Sequence, residues 1–214
     1  MRNRLQLPRR NALPPVDPDA EPTRYYYWPL VGWFYRKRLQ MALDALEARP
    51  YPRLLEVACG SGLFLPSLRP LCEELHALDR HEHLESVRQG LARLGVAAEL
   101  RQGDALAMPY AAESFDAVVN VSMLEHLPEP GDAIAEMLRV LKPGGRLVLG
   151  FPCRNPGMDA FFRLLGFDPR AIHPSSHQDI LATLRQRRPG FTLAVLPRWL
   201  PLDFSLYCVC TMTK

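Results

Sequence analysis

The sequence contains 214 residues, of which 26 are basic and 23 acidic, so the net charge at pH 7 is only +3. This length provides one domain with a sizeable core and is too short for two full domains. The small basic excess, without a basic stripe interleaved with aromatic residues, argues against a nucleic-acid partner. No apolar run reaches the roughly 18–20 residues that a membrane span requires, so no span is expected.

The five cysteines are odd in number and irregularly spaced, which argues against a disulfide framework and against a zinc site. Cys208 and Cys210 lie two residues apart in a predicted strand and should pack on the same face as small apolar side chains. The Arg-rich amino terminus is followed by prolines and not by the apolar segment of a secretory signal. These features predict a reducing, cytoplasmic setting and no metal site.

Residues 1–24 are rich in Pro and Arg and show no periodicity, which predicts a flexible or draped extension. A dense aromatic run follows at Tyr25–Trp28. It either folds over a bound ligand as a lid or packs against the sheet edge. Apolar residues at helical spacing predict a helix over about 31–48, where prolines stop it. A single domain is predicted over residues 25–214.

Predicted strands and helices alternate from Arg53 onward. The strand at 115–121 is almost wholly apolar, which is typical of the middle of a parallel sheet covered on both faces. Such alternation predicts a doubly wound α/β, Rossmann-like sheet, mostly parallel, with helices on both faces. The predicted strands are 54–58, 74–79, 98–101, 115–121 and 146–151, and the predicted helices run from the glycine turn to about 72, over 82–94 and over 132–141.

The chain is less regular after residue 152. We predict a partly helical segment at 158–169 and a helix at 176–187 that a serine caps at its amino end. Two strands, at about 192–196 and 205–212, close the chain. The last strand is expected to be antiparallel to the rest of the sheet.

The segment from Glu56 to Gly62 follows the first predicted strand and has small residues at positions 58, 60 and 62. In open α/β sheets, ligands bind beyond the carboxyl ends of the strands, near the point where the strand order reverses. Small side chains let the backbone approach a ligand there, and a Cβ on Gly60 or Gly62 would occupy that space. A dinucleotide fingerprint requires a third glycine where this chain has Leu65. A nucleoside without pyrophosphate, S-adenosylmethionine, is therefore favoured over NAD.

Acidic residues follow the second and third predicted strands, at Asp79 and Asp104. A carboxylate at position 79 can accept hydrogen bonds from both hydroxyls of a ribose, and an ordinary turn residue is the alternative. The carboxylate at position 104 can accept from the amino group of an adenine. Both positions fall at the same sheet edge as the glycine segment, which predicts one nucleoside site.

Several stretches match one known family. They are Leu55 to Gly62, Ala77-Leu78-Asp79, Gly103-Asp104-Ala105 with Met108-Pro109, Ser114-Phe115-Asp116, Glu125-His126-Leu127 and Leu138 to Gly145. With them, residues 53–152 resemble the catalytic core of class I S-adenosylmethionine-dependent methyltransferases, particularly the branch containing the ubiquinone and menaquinone biosynthesis enzymes. The resemblance implies an acceptor-side insertion at about 153–190. The chain departs from many members at Ala58, where they have glycine.

The resemblance also implies roles for individual residues. The glycine segment would wrap the methionine part of the cofactor, and Asp79 would bind the ribose. Asp104 and Ala105 would bind the adenine, and Asn120 would lie under the sulfonium group. The predicted cofactor-binding residues are Glu56, Ala58, Cys59, Gly60, Gly62, Asp79, Arg80, Asp104, Ala105 and Asn120.

A general base is needed for methyl transfer only when the acceptor must lose a proton. His126 is the predicted catalytic residue because it follows the fourth strand on the methyl-donor side and an imidazole titrates near neutral pH. A capping or packing role is the alternative. His173 and His177 are four residues apart, but an intervening proline disfavours a helix across them and hence a shared metal. His81 and His83 are interpreted as solvated surface.

Three hypotheses for the function remain. The first is methyl transfer from S-adenosylmethionine to a small-molecule acceptor by in-line displacement. The second is a cofactor-binding interaction module without catalysis. The third is a nicotinamide-dependent oxidoreductase, which Leu65 disfavours. Apolar residues after position 150 favour a small or lipid-like acceptor over nucleic acid, and no oligomeric state is predicted.

Overall fold

The computed structural model describes residues 3–14, 22–29, 31–47, 50–156, 159, 168, 173–188 and 190–214. Seven strands form one sheet. They are β1 (Tyr51–Val57), β2 (Cys72–Asp79), β3 (Glu99–Gln102), β4 (Phe115–Val121), β5 (Leu141–Pro152), β6 (Phe191–Leu196) and β7 (Tyr207–Thr213). The α-helices are α1 (Val31–Ala45), α2 (Leu65–Leu68), α3 (Leu84–Arg93), α4 (Pro130–Val140) and α5 (His177–Arg187). Short 3₁₀ helices lie at Pro22–Tyr27, Arg69–Leu71, Leu124–His126 and Leu202–Phe204.

The strand order is β3-β2-β1-β4-β5-β7-β6. The first five strands are parallel, and β7 runs antiparallel to both β5 and β6. The order reverses between β1 and β4, so the carboxyl ends of these two strands flank the switch point at which open α/β sheets bind ligands. The predicted sheet, mostly parallel with an antiparallel last strand, is confirmed.

Helices cover both faces of the sheet, as predicted. Side chains of α1, α2 and α3 pack with one set of strand residues into a first hydrophobic cluster. Those of α4 and α5 pack with the alternate residues of the same strands into a second cluster. Side chains point alternately to the two faces of a strand, so β4 can contribute Val119 to the first cluster and Val118 to the second. This two-sided burial explains why β4 is almost wholly apolar.

Several predicted boundaries were wrong. The helix expected to reach residue 72 stops at Leu68 as an α-helix, because Pro70 has no backbone N–H and its ring blocks the preceding turn. The strand expected at 146–151 begins at Leu141, directly after α4, and a register shift against β4 accommodates its early part. The partly helical segment expected at 158–169 lies almost entirely outside the described residues.

Other local predictions were confirmed. The helix at 176–187 begins after Ser176, whose hydroxyl accepts a hydrogen bond from the backbone N–H of Asp179 in a capping box. Cys208 and Cys210 are both buried in the second hydrophobic cluster.

Among the helices that the structure describes, none is both long and apolar enough to cross a membrane.

The described part of the amino-terminal extension, residues 3–14, lies along α1, α2 and α3. Asn3 donates a side-chain hydrogen bond to the carbonyl of Leu43, and the backbone N–H of Gln6 donates to Ser67 Oγ at 2.8 Å. Leu13 is buried in the first hydrophobic cluster. The division of the chain at residue 24 stays a prediction.

Candidate cofactor and acceptor site

The glycine segment forms a tight loop between β1 and α2. Ala58, Gly60 and Gly62 have φ angles of 60°, 53° and 76°, in the left-handed region that favours glycine. An added Cβ on Gly60 would meet nothing within 4 Å, which is consistent with a backbone that faces open space. On Gly62 it would lie 3.0 Å from Val87 Cγ1 of α3. Gly60 therefore borders open space, and its contact with a ligand stays a prediction, whereas Gly62 packs closely against α3.

Asp79 braces this loop from the end of β2. Its Oδ2 accepts a hydrogen bond from the backbone N–H of Gly60 at 2.7 Å, and its Oδ1 accepts from the N–H of Arg80 at 2.8 Å. The Nε2 atom of His81 lies 3.0 Å from the carbonyl oxygen of Gly60. The interpretation of His81 as solvated surface was thus wrong, because its side chain is only 17% exposed and contacts the loop.

Glu56 presents a buried carboxylate at the end of β1. The residue is 4% exposed, and its Oε2 has no hydrogen-bond partner among the described residues. Burial raises the pKa of Glu56 well above its usual range, and the negative charge of Asp79 raises it further. A buried carboxylate is costly unless a donor pairs with it, and a bound ammonium group would provide that donor. The site therefore fits the amino group of S-adenosylmethionine.

Asn120 presents a second buried acceptor, at the end of β4. Its Nδ2 donates to the carbonyl of Val57 at 2.8 Å, which fixes the amide against β1. Its Oδ1 has no partner within the part of the chain that the structure describes. Asn120 and Val57 are paired across the two strands that flank the switch point. Unpaired acceptors thus end both strands, where a ligand is expected.

The remaining predicted residues lie beyond β2 and β3. The N–H of Gly103 donates to the carbonyl of Asp79 at 2.9 Å, which brings the two acidic strand ends together. Asp104 is exposed and accepts a hydrogen bond from the N–H of Leu106 at 2.9 Å, so it also serves a local turn. Ala105 packs against the second hydrophobic cluster. An adenine-binding role for Asp104 and Ala105 stays a prediction.

Cys59 and Arg80 frame the loop through their backbones. The N–H of Cys59 donates to the carbonyl of Leu78 at 3.2 Å, and the Cys59 side chain is buried in the first cluster. The carbonyl of Arg80 accepts from Gln102 Nε2 at 3.1 Å, while the Arg80 side chain is exposed. These contacts hold the carboxyl ends of β1, β2 and β3 in register.

A buried polar cluster that the sequence did not predict lies beyond β4. Arg38 of α1 is 8% exposed; it donates to Ser122 Oγ at 3.3 Å and to the hydroxyl of Tyr26 at 3.5 Å. The hydroxyl of Tyr207 lies 2.9 Å from the same Ser122 Oγ. Ser122 has a φ of 59°, which aims the backbone after β4 toward these partners. The signal in the sequence was a basic residue on the apolar face of a predicted helix.

His126 follows β4, as predicted, and its side chain is exposed. Glu125 and His173 lie beside it. The ring centroid of His126 lies 5.2 Å from that of His173, which precedes α5. Burial, with a further contribution from His126, lowers the pKa of His173 to about 4. Glu125 is buried beside them, and burial raises its pKa to about 7. His177 is separate, because its Nε2 lies 3.1 Å from Asp203 Oδ1.

The aromatic run packs chiefly against α1 and not against the sheet edge. The ring centroid of Tyr26 lies 5.1 Å from that of Tyr35, and Tyr25 contacts both Tyr35 and Trp28. The hydroxyl of Thr23, two residues before this run, lies 3.3 Å from Ser61 Oγ in the glycine loop. The run itself packs on α1, and the segment just before it contacts the candidate cofactor site.

Comparison with known proteins assigns the domain. Residues 55–149 match a family model described as a methyltransferase domain. The chain carries a methyltransferase domain. A demethylmenaquinone methyltransferase of Renibacterium salmoninarum is 36% identical over 118 residues, which cover 53% of this chain and 47% of that protein. A ubiquinone biosynthesis O-methyltransferase of Hahella chejuensis is 34% identical over 140 residues, 61% of this chain and 58% of that protein.

A solved structure has a similar fold. A SAM-dependent methyltransferase from Aquifex aeolicus superposes with a TM-score of 0.62 at 17% sequence identity, covering 91% of this chain and 94% of that chain. The methyltransferase domain spans about half the length of the curated relatives named above. The family match and the two curated relatives agree with the methyltransferase that the sequence predicts.

Proposed function

We propose that this methyltransferase domain transfers a methyl group from S-adenosylmethionine to a small-molecule acceptor by in-line displacement. The observation that carries the proposal is the buried, unpaired Glu56 oxygen beside the Gly60 loop, at the switch point of the sheet. A site that leaves a buried acceptor unsatisfied is completed by a ligand that donates to it. The acceptors of the relatives differ, so the acceptor is proposed here only as a class.

Each predicted cofactor residue has a proposed contact. The carboxylate of Glu56 would accept from the amino group of the methionine part, and Asp79 would accept from the ribose hydroxyls while it holds Gly60. The amide oxygen of Asn120 would lie under the sulfonium group. Asp104 and Ala105 would border the adenine. Charge-assisted hydrogen bonds of this kind are the stronger ones in proteins.

Methyl transfer by in-line displacement requires little covalent chemistry from the protein. Bound S-adenosylmethionine supplies an electrophilic methyl group on a sulfonium sulfur. The chain must hold the acceptor atom opposite the departing sulfur and exclude water, and alignment of this kind supplies most of the rate enhancement. The network of Arg38, Ser122 and Tyr207 gives the region beyond β4 a rigid, mostly buried wall.

His126 is proposed as the residue that removes a proton from acceptors that carry one. It is exposed and follows β4, on the side of the sheet where the methyl donor is expected, and an exposed imidazole can take a proton from a bound acceptor. A reducing, cytoplasmic setting is proposed as well. It is supported by the five cysteines, all of which are buried free thiols.

The class of acceptor can be tested by following a labelled methyl group into cell fractions. Purified protein and methyl-labelled S-adenosylmethionine are incubated with an extract of the source cells, which is then separated into low-mass, protein and nucleic-acid fractions. We expect the label in the low-mass fraction and none above background with Asp79→Ala; the exposed Asp132→Ala serves as the matched control and should retain transfer. Label in the protein or nucleic-acid fraction would contradict a small-molecule acceptor.

A further inference from the structure

Three metal-ligating side chains converge beyond β4. Glu125, His126 and His173 each offer one ligand atom, and these atoms all lie within 4.8 Å of one another. We propose that these three residues bind one divalent transition-metal ion, for which Zn²⁺ is the best match. The metal would lie on the same edge of the sheet as the glycine loop. Its role in catalysis, though not its binding, rests on the proposed function.

The ligand set is chemically suited to zinc. Two imidazoles and one carboxylate are a ligand set of catalytic zinc sites, in which the fourth position stays open for water or substrate. Zinc–ligand bonds of about 2.0–2.2 Å place tetrahedral ligand atoms roughly 3.4 Å apart. Ligand atoms that already lie within 4.8 Å of one another reach that spacing by small side-chain rotations.

A second observation is independent of this spacing. Glu125 is 2% exposed, and its Oε2 has no hydrogen-bond partner among the residues described. A buried carboxylate oxygen is unfavourable unless a donor or a cation satisfies it. The metal ion would provide that cation, and His126, which is exposed, leaves a path for it to enter.

The backbone holds the three residues together without help from a ligand. The hydroxyl of Ser175 donates to the carbonyl of Leu127 at 2.6 Å, and its backbone N–H donates to the carbonyl of Glu125 at 3.3 Å. The segment that carries His173 is thereby fastened to the loop that carries Glu125 and His126. Ligands on fixed backbone lose little freedom on binding, which favours affinity.

Two arginines shape the electrostatics of this site. The charge of Arg38 acts on both Glu125 and His173, and that of Arg154 acts on His173. Arg154 is paired with Asp159 at 2.9 Å, and the Arg38 guanidinium lies 4.0 Å from the ring centroid of Tyr35. A nearby positive charge repels a metal ion, so replacing Arg38 should tighten metal binding. An anion site at the same place would respond in the opposite direction.

The open coordination position implies a substrate class, an acceptor with an acidic hydroxyl. A metal ion lowers the pKa of a hydroxyl that binds to it. The O–H bond breaks and its proton passes to solvent, because His126 as a metal ligand would no longer act as the base proposed above. The oxygen then uses a lone pair to form a bond to the methyl carbon, while the carbon–sulfur bond breaks and its electrons stay on sulfur. The metal changes neither its charge nor its oxidation state.

Cobalt substitution tests the binding site directly. Co²⁺ is titrated into the metal-depleted full chain, and the visible absorption bands of tetrahedral Co²⁺ report binding. We expect one Co²⁺ per chain and at least tenfold weaker binding in His126→Ala and in His173→Ala. The exposed His83 lies before α3, so His83→Ala is the matched control and should bind as the unsubstituted protein does.

Each outcome bears on the proposal. It is overturned if no stoichiometric Co²⁺ spectrum forms, or if the two histidine variants bind as well as the unsubstituted protein. Tighter Co²⁺ binding by folded Arg38→Met supports it, and weaker binding by that variant would contradict it. Affinity for S-adenosylhomocysteine, measured on the same samples, separates failure of the metal site from failure of the cofactor site.

Discussion

Glu56 is the residue on which the cofactor site depends most. It is buried at the end of β1 and its pKa lies above the ordinary value of 4.5. The folded chain without cofactor therefore binds a proton at pH values where the unfolded chain has lost it. By linkage, this carboxyl makes the fold less stable as the pH rises above about 4.5.

Glu56→Gln should therefore change stability and binding in opposite directions. Without cofactor, the variant should gain stability relative to the unsubstituted protein as the pH is raised from 5 to 8, as measured by urea unfolding. At pH 7.5 its affinity for S-adenosylmethionine should fall by about tenfold or more, the typical worth of a hydrogen bond to a charged group. Unchanged affinity would mean that Glu56 does not contact the cofactor.

The two loop glycines provide a matched pair of substitutions. Gly60→Ala should lower the free energy of unfolding by about 1 kcal/mol, because Ala58 already tolerates a left-handed backbone in the same loop. Gly62→Ala should cost more, about 2–3 kcal/mol, since its Cβ would also press on Val87. Affinity for S-adenosylmethionine should fall more in Gly60→Ala than in Gly62→Ala. Equal costs for the two variants, measured by urea unfolding, would contradict this account of the loop.

Individual residues were predictable from sequence where a local rule applied. Asp79 and Gly60 lie together as expected, because strand ends in a parallel sheet meet at one edge. The proximity of Arg38, Glu125 and His173 was not predictable, because these residues come from segments far apart in sequence. Only tertiary packing brings them together, and no local periodicity records that contact.

At the scale of elements, the segment before α5 links the fold to the candidate acceptor site. Ser176 caps α5 through a reciprocal hydrogen-bond pair with Asp179. Ser176→Ala should lower the free energy of unfolding by about 1 kcal/mol, the usual cost of losing an N-cap. Ser176→Asp is the control, because an aspartate can also cap the helix, and it should restore most of the loss in urea unfolding. A stability unchanged by Ser176→Ala would refute the capping role.

Elements were predictable to the extent that their own residues determine them. β4 has the boundaries that its apolar run predicts, because both of its faces are buried. The helix after the glycine loop is shorter than expected because prolines interrupt it. β5 extends further toward its amino end because Leu141 already pairs with Phe115 of β4, ahead of a register shift that accommodates the glycines.

For the whole molecule, the order of strands and helices was sufficient to predict the sheet. Alternating strands and helices with right-handed crossovers leave few arrangements, and the doubly wound sheet is one of them. The acceptor was not predictable from the same reasoning. The predicted acceptor-side insertion is the part of the chain least constrained by periodicity, and the acceptors of related proteins differ.

The most direct test is calorimetric titration of the purified protein with S-adenosylmethionine, S-adenosylhomocysteine and NAD in parallel. The account predicts that both adenosyl compounds bind with one site per chain and that NAD does not bind, because Leu65 replaces the third glycine of a dinucleotide fingerprint. Binding of NAD alone, or of none of the three by a folded protein, would contradict the assigned cofactor site.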